Sequence, residues 1–299
     1  MVLKSLGNGL TQMWRNKRVI LIFYLSNLLF GLVLMLPFRA SLADFVGHSL
    51  MGAELAGRFD MNFLFEFLKN NPSVLSIYQT LFFFVPTVYW LFSLFLSGGA
   101  FAQFASDASF SAHFFWGSAA KYFGRFLRLA LLSLPVLGLL LSLQFIETGV
   151  ERILFGNDPY EYVTYWGGWI KFALRALAIL LFSLILDYAR ILTVVRDENK
   201  MRAALWQGVR FAFGHLGQTF SLAFVLFLAG GLALAIYFPA AGTLSAPHGL
   251  VILTLFLLQQ GYVFFRMAVR LTLYSSQMSL FRQVSGAHAG AGEPVVADS

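Results

Sequence analysis

Residues 216–238 read LGQTFSLAFVLFLAGGLALAIYF, 23 residues without one charged side chain. Wound as an α-helix at about 1.5 Å per residue, the run is about 34 Å long and spans the roughly 30 Å hydrocarbon core of a bilayer. It is apolar on every face, which suits lipid better than the surface of a soluble protein. Five more stretches qualify, near 19–36, 77–104, 126–146, 169–195 and 250–273. Composition agrees: 59% of residues are hydrophobic, 12% are charged and the mean hydropathy is +0.73. Soluble chains carry about twice that charged fraction. The expected fold is all-α, an integral membrane bundle of six transmembrane helices over residues 1–284. The first stretch follows Lys17 and Arg18 and is longer than a secretory core segment of about 7–15 residues, so it reads as an uncleaved helix.

Working outward, the loops set an orientation. Fifteen of the 21 Lys and Arg residues fall before the first stretch, between the second and third, between the fourth and fifth, or at the end of the sixth. The opposite side holds Arg39, Arg58, Lys69 and Arg152, with Lys171 and Arg175 at the outer end of the fourth stretch. Positive charge stays inside, so both termini are expected in the cytoplasm. The same scatter accounts for the pI of 9.7 without a nucleic-acid partner, since the charges sit beside helix ends and face anionic lipid. The chain has no cysteine, which excludes disulfides, thiol nucleophiles and Cys-ligated metal.

A repeat lies across the middle of the chain. A shift of 90 residues aligns Leu91-Phe92-Ser93-Leu94 with Leu181-Phe182-Ser183-Leu184, Asp107 with Asp197, Trp116 with Trp206, and Phe123-Gly124 with Phe213-Gly214. Asp197 reads as a helix N-cap. Met201, Leu205, Trp206, Val209, Ala212 and Phe213 then form one apolar face, with Lys200, Ala203, Gln207 and Arg210 opposite. This predicts an amphipathic helix in the interface, ended by Gly214, with Asp107 to Gly124 repeating it. Trp14 and Arg18 are spaced like Trp206 and Arg210, and Ala189-Arg190-Ile191-Leu192-Thr193 returns as Val269-Arg270-Leu271-Thr272-Leu273 at a shift of 80. Three parallel units follow, about 1–104, 105–196 and 197–284, anchored at the interface by Trp14, Trp116 and Trp206. The first outer loop, Pro37 to Pro72, is expected to carry a short helix around Asn62 to Lys69. The third carries the turn Asn157-Asp158-Pro159-Tyr160 and an aromatic belt of Tyr162, Tyr165, Trp166 and Trp169. The tail, 285–299, is expected to be disordered.

Asp187-Tyr188-Ala189-Arg190 followed by Ala203-Ala204-Leu205-Trp206-Gln207-Gly208-Val209-Arg210-Phe211 resembles a run in poorly characterised bacterial multi-span proteins. Those are similar to the membrane domain attached to glycerophosphodiester phosphodiesterases. The likeness covers roughly the fourth and fifth stretches. The phosphodiesterase barrel, with its acidic and histidine catalytic residues, has no counterpart here. The resemblance therefore implies a bacterial inner-membrane protein of unassigned role.

Catalytic constellations were sought at membrane depth. Gly47-His48-Ser49 and Ser97-Gly98-Gly99 do not bring a Ser–His pair together, because no histidine lies mid-span. Asp187 is the only acid well inside a span, so an aspartyl pair lacks its second member. The five histidines have no ligand spacing, and no phosphate-cradling glycine motif occurs. The expectation is a protein without catalytic, metal or cofactor residues. What remains is a polar set at depth: Asp187 and Arg190, three apart on one helix face, with Gln259, Gln260, Arg266 and Arg270 on the sixth helix. In a purely structural role this set would be helix-to-helix glue with snorkelling arginines. The expected function is a non-catalytic membrane subunit or scaffold that binds lipid or a protein partner. Its contacts would be the cytoplasmic amphipathic helices or the first outer loop. The alternative is a transporter or lipid-handling permease centred on the polar set.

Overall fold

The computed structural model describes residues 1–47, 61–70, 72–106, 108–156, 160–243 and 249–290. Among them run ten helices: α1 (Val2–Arg15), α2 (Lys17–Val46), α3 (Met61–Asn70), α4 (Pro72–Ser106), α5 (Ala112–Leu141), α6 (Gln144–Phe155), α7 (Glu161–Val195), α8 (Met201–Gly214), α9 (Leu216–Thr243) and α10 (Gly249–Gly290). Six segments are long and apolar enough to cross a membrane: Lys17–Val46, Leu75–Ser106, Ala112–Phe155, Glu161–Val195, Leu216–Ala241 and Gly249–Gly286. Large side chains along them, among them Phe83, Ile153, Leu232, Ile236 and Phe238, are more than half exposed. Continuous apolar exposure on this scale is stable only where hydrocarbon replaces water. The chain is a polytopic α-helical membrane protein.

The chain forms two compact units. The first comprises Met1–Arg15, Ser97–Leu226 and Thr272–Ser299; the second comprises Asn16–Leu96 and Phe227–Leu271. In the first unit one type of contact recurs three times. The end of α4 meets the start of α5, where a Cβ on Gly99 would lie 2.8 Å from the Phe115 carbonyl oxygen. The end of α7 meets α8, where a Cβ on Gly208 would lie 2.8 Å from the Ala189 Cβ. The end of α10 meets α1, where a Cβ on Gly9 would lie 2.7 Å from the Ser276 Cα. Ser275 Oγ also donates to the Gly9 carbonyl at 2.8 Å. Small residues let backbones approach closely where lipid offers no hydrophobic incentive to associate. In α10 the contact falls at Ser276, seven residues beyond Val269, where the shift of 80 places it.

The repeat is imperfect at its joints. Asp107 lies outside the described residues, and α5 is instead capped by Ser111, whose hydroxyl accepts from the Phe114 amide. Gly124 does not end a helix: α5 runs straight through it, whereas α8 stops at Gly214 and α9 begins at Leu216. Thr219 supplies the difference, its hydroxyl bonding the carbonyls of Ala212 and His215 at the break. Its partner at a shift of 90 is Leu129, which has no hydroxyl. Trp14 and Arg18 straddle a similar break at Asn16, so their spacing does not reproduce Trp206 and Arg210 within α8.

Two further expectations change. Asp197 is no N-cap: it sits at φ +48 just past α7, and the Glu198 amide bonds back to the Thr193 carbonyl. That is the closing bond of a Schellman-type helix end, with Asp in the left-handed position that Asp tolerates. The buried stripe of α8 is Met201, Ala204, Gly208 and Ala212, while Trp206 is 70% exposed and Phe213 49%. Close approach to α7 selects the smallest side chains and turns the aromatics outward.

In the second unit α2 pairs with α4 through Phe30–Tyr89 and Phe38–Tyr78, ring centroids 5.4 and 5.5 Å apart. Helix α2 continues through Pro37 to Val46, so the loop after it starts ten residues later than Pro37 suggests. Helix α3 forms as expected. Phe63 and Phe67, one turn apart, bury against Tyr78 with Leu42 and Phe45, while Phe65 points out. Helix α10 continues past Ser285 to Gly290, correcting the start of the tail; residues 291–299 lie outside the described set, as does the turn at 157–159.

Candidate functional site

Asp187 and Arg190 face inward on α7 in the first unit, 5% and 7% exposed, with Nη1 of Arg190 3.3 Å from Oδ1 of Asp187. The guanidinium lies over the Phe126 ring of α5, 5.7 Å from its centroid. Tyr188, fully buried between them in sequence, packs on Phe211 of α8 at 4.8 Å. A buried pair is stable only when each charge is met by the other and by further polar or aromatic groups. Here the two charges meet each other and the Phe126 ring, while Nε of Arg190 is buried without a hydrogen-bond acceptor.

The rest of the predicted polar set lies in the second unit. Gln260 accepts from the Tyr24 hydroxyl at 2.9 Å. Arg270 donates to Ser93 Oγ at 3.1 Å and lies over Phe23, 5.9 Å from its centroid. Those bonds tie α10 to α2 and α4. Gln259 and Arg266 are exposed on α10. The predicted anchors Trp14, Trp116 and Trp206 are 60%, 41% and 70% exposed on α1, α5 and α8.

Asp197 joins α5 to the α7 end. Its carboxylate takes Lys121 at 3.0 Å and Arg125 at 2.6 Å, with Tyr122 Oη at 3.4 Å. Hydrogen bonds from Lys121 and then Arg125 hold this carboxyl below the ordinary range.

Two sites escaped the sequence reading. The first is a cleft of about 670 Å³ between the end of α7, α8 and α10. Leu192, Phe211 and Phe281 give it an apolar wall, and Arg196, Arg210 and His215 give it positive or protonatable groups; no carboxylate lines it. Arg196 is oriented by Gln207 Oε1 at 2.8 Å. In sequence these bases look like topology signals, and the break at His215 that gathers them is set by Thr219. The second is the α6–α7 hairpin. Here Lys171 Nζ sits 3.0 Å from Glu147 and 3.8 Å from Glu151, Thr164 donates to Glu151 at 3.2 Å, and Arg175 donates to Gln144 at 2.8 Å. The signal was available as Glu147/Glu151 and Gly167/Lys171, each pair one helical turn apart.

Comparisons with protein-family models, with curated proteins and with solved structures find no match for this chain.

Proposed function

We propose that this protein is a non-catalytic subunit of the bacterial inner membrane, with both termini cytoplasmic, which binds an anionic lipid in the cleft between α7, α8 and α10. The cleft carries the reading: Arg196, Arg210 and His215 line it with no acid among the lining residues, beside apolar Leu192, Phe211 and Phe281. A phosphate-bearing headgroup is matched by guanidinium groups, and an acyl chain by the apolar wall. Arg210 is exposed and Trp206 stands beside it on α8 at the depth of headgroups. Placement in a bacterial inner membrane rests on the resemblance of 187–190 and 203–211, and the orientation rests on the basic loops.

The alternative, a transporter centred on Asp187, gains less support. Asp187 is already paired with Arg190, whose guanidinium lies over the Phe126 ring of α5, so the pair reads as a fastening between α7 and α5. The test is lipid retention by the purified, delipidated full chain, read by native mass spectrometry after exposure to phosphatidylglycerol or phosphatidylcholine. The Arg196→Gln/Arg210→Gln variant should lose about tenfold or more in retained phosphatidylglycerol, two charge-assisted contacts being removed. Unchanged retention in a variant with a wild-type melting temperature would refute the proposal.

A further inference from the structure

Helices α6 and α7 enclose a second cleft, of about 450 Å³, at the other end of α7 from the basic one. Its apolar lining is Ile146, Val150, Val163, Ile170 and Leu174, of which Ile146, Val150 and Ile170 are about half exposed. Its aromatic edge is Phe155, Tyr162 and Trp166, the last two rings 6.2 Å apart. Among these apolar groups stand two carboxylates, Glu147 and Glu151, and among the described residues no cationic side chain lines the space.

The carboxylates are built in rather than incidental. The Glu147 side chain is 7% exposed and that of Glu151 12%. Glu147 lies flat on α7 because residue 167 is glycine: a Cβ there would collide with Oε1 of Glu147. One ammonium serves both. Lys171 bonds Glu147 at 3.0 Å but stands 3.8 Å from Glu151, whose remaining partner is the Thr164 hydroxyl. Two largely buried acids thus share one lysine, with hydroxyls of Thr148 and Thr164 as their other donors, at the edge of an apolar cleft. A second ammonium there would meet carboxylates that are held ready and shielded from water.

We propose that this cleft binds a membrane lipid whose headgroup carries a primary ammonium. The ammonium has three N–H donors, enough to bridge Glu151 and Glu147 as Lys171 does from the opposite side. Trp166 and Tyr162 offer ring faces to the cation at the rim, and the apolar lining takes the first part of an acyl chain. The site is independent of the basic cleft and selects the opposite charge.

The experiment uses the delipidated full chain and three lipids in equal amounts: phosphatidylethanolamine, phosphatidylcholine and phosphatidylglycerol. Retained lipid is counted by native mass spectrometry. The wild type should hold phosphatidylethanolamine in preference to phosphatidylcholine, whose ammonium has no N–H. Glu151→Gln keeps the shape and removes the charge, and should lower retained phosphatidylethanolamine about tenfold while leaving phosphatidylglycerol unchanged. Ile170→Trp fills the cleft without touching a charge and should have the same effect. The Arg196→Gln/Arg210→Gln variant should spare phosphatidylethanolamine, which separates failure of this site from failure of the basic one. Glu147, being more deeply buried, is left intact so that the variants fold, and an unchanged melting temperature verifies this. Equal retention of phosphatidylethanolamine and phosphatidylcholine, or undiminished phosphatidylethanolamine in folded Glu151→Gln, would overturn the proposal.

Discussion

Replacing Asp187 by leucine removes one half of a pair that is 5% and 7% exposed, leaving the Arg190 guanidinium buried under Phe126. Breaking a buried pair from one side costs about 3–5 kcal/mol, most of it the stranded charge. Insertion scales place a lone Arg at mid-bilayer at roughly 2.5–3.5 kcal/mol, which agrees with the lower part of that range. The 3.3 Å contact makes the loss strongly coupled. Asp187→Leu combined with Arg190→Met should therefore recover most of the single-variant loss, because both charges leave together and their volume is retained. A double-mutant cycle is expected to give a coupling energy of about 2–3 kcal/mol, well outside the few tenths expected of independent sites. Asp187→Asn, which keeps an oxygen acceptor for Arg190 Nη1, should fall between wild type and Asp187→Leu. The assay is SDS titration of the purified protein in mixed micelles, followed by tryptophan fluorescence, with thermal unfolding as a second readout. Additive effects, with the double variant as unstable as the two singles summed, would refute the fastening argument. If Asp187→Asn stays fully stable yet abolishes a cellular phenotype, the transporter reading is restored.

Asp197 gives a pH signature. Its folded pKa is lowered by Lys121 and Arg125, so its contribution is complete above the ordinary carboxylate value of about 3.9 and disappears as pH falls through the lower folded value. Wild type and Asp197→Asn should thus differ modestly in melting temperature at pH 7, and the gap should narrow progressively as pH falls below about 4; a gap that does not narrow would refute the assignment. The orientation is testable on a clean background, since the chain has no cysteine. In intact bacteria expressing the protein, a membrane-impermeant maleimide should label Lys69→Cys in α3, and label Asn199→Cys between α7 and α8 only after permeabilisation. The reverse pattern would invert the topology.

The six spans were legible because they depend on composition over about 20 residues, which no tertiary contact can hide. Helix α3 was legible for a related reason: Phe63 and Phe67 are one turn apart, in a segment too short to cross. The Asp187–Arg190 pair was legible from spacing alone, since residues three apart on a helix share a face. Partners from other helices were not. Ser93 beneath Arg270, Tyr24 against Gln260 and Lys171 between Glu147 and Glu151 each come from 20 to 236 residues away in the chain. Nothing in local periodicity encodes such distances.

Local properties of the sequence determined a polytopic all-α membrane protein, its six spans and the Asp187–Arg190 pair within one helix. Those follow from hydrophobic length and from 3.6-residue periodicity, both local properties of the chain. Tertiary structure alone decided which side of α8 is buried, because the Gly208–Ala189 approach favours small side chains over large apolar ones. It also decided where helices break, because Thr219 can satisfy the freed carbonyls near His215 and Leu129 has no hydroxyl to do so at Gly124. The charge of each cleft depends on which side chains the neighbouring helices bring to its rim.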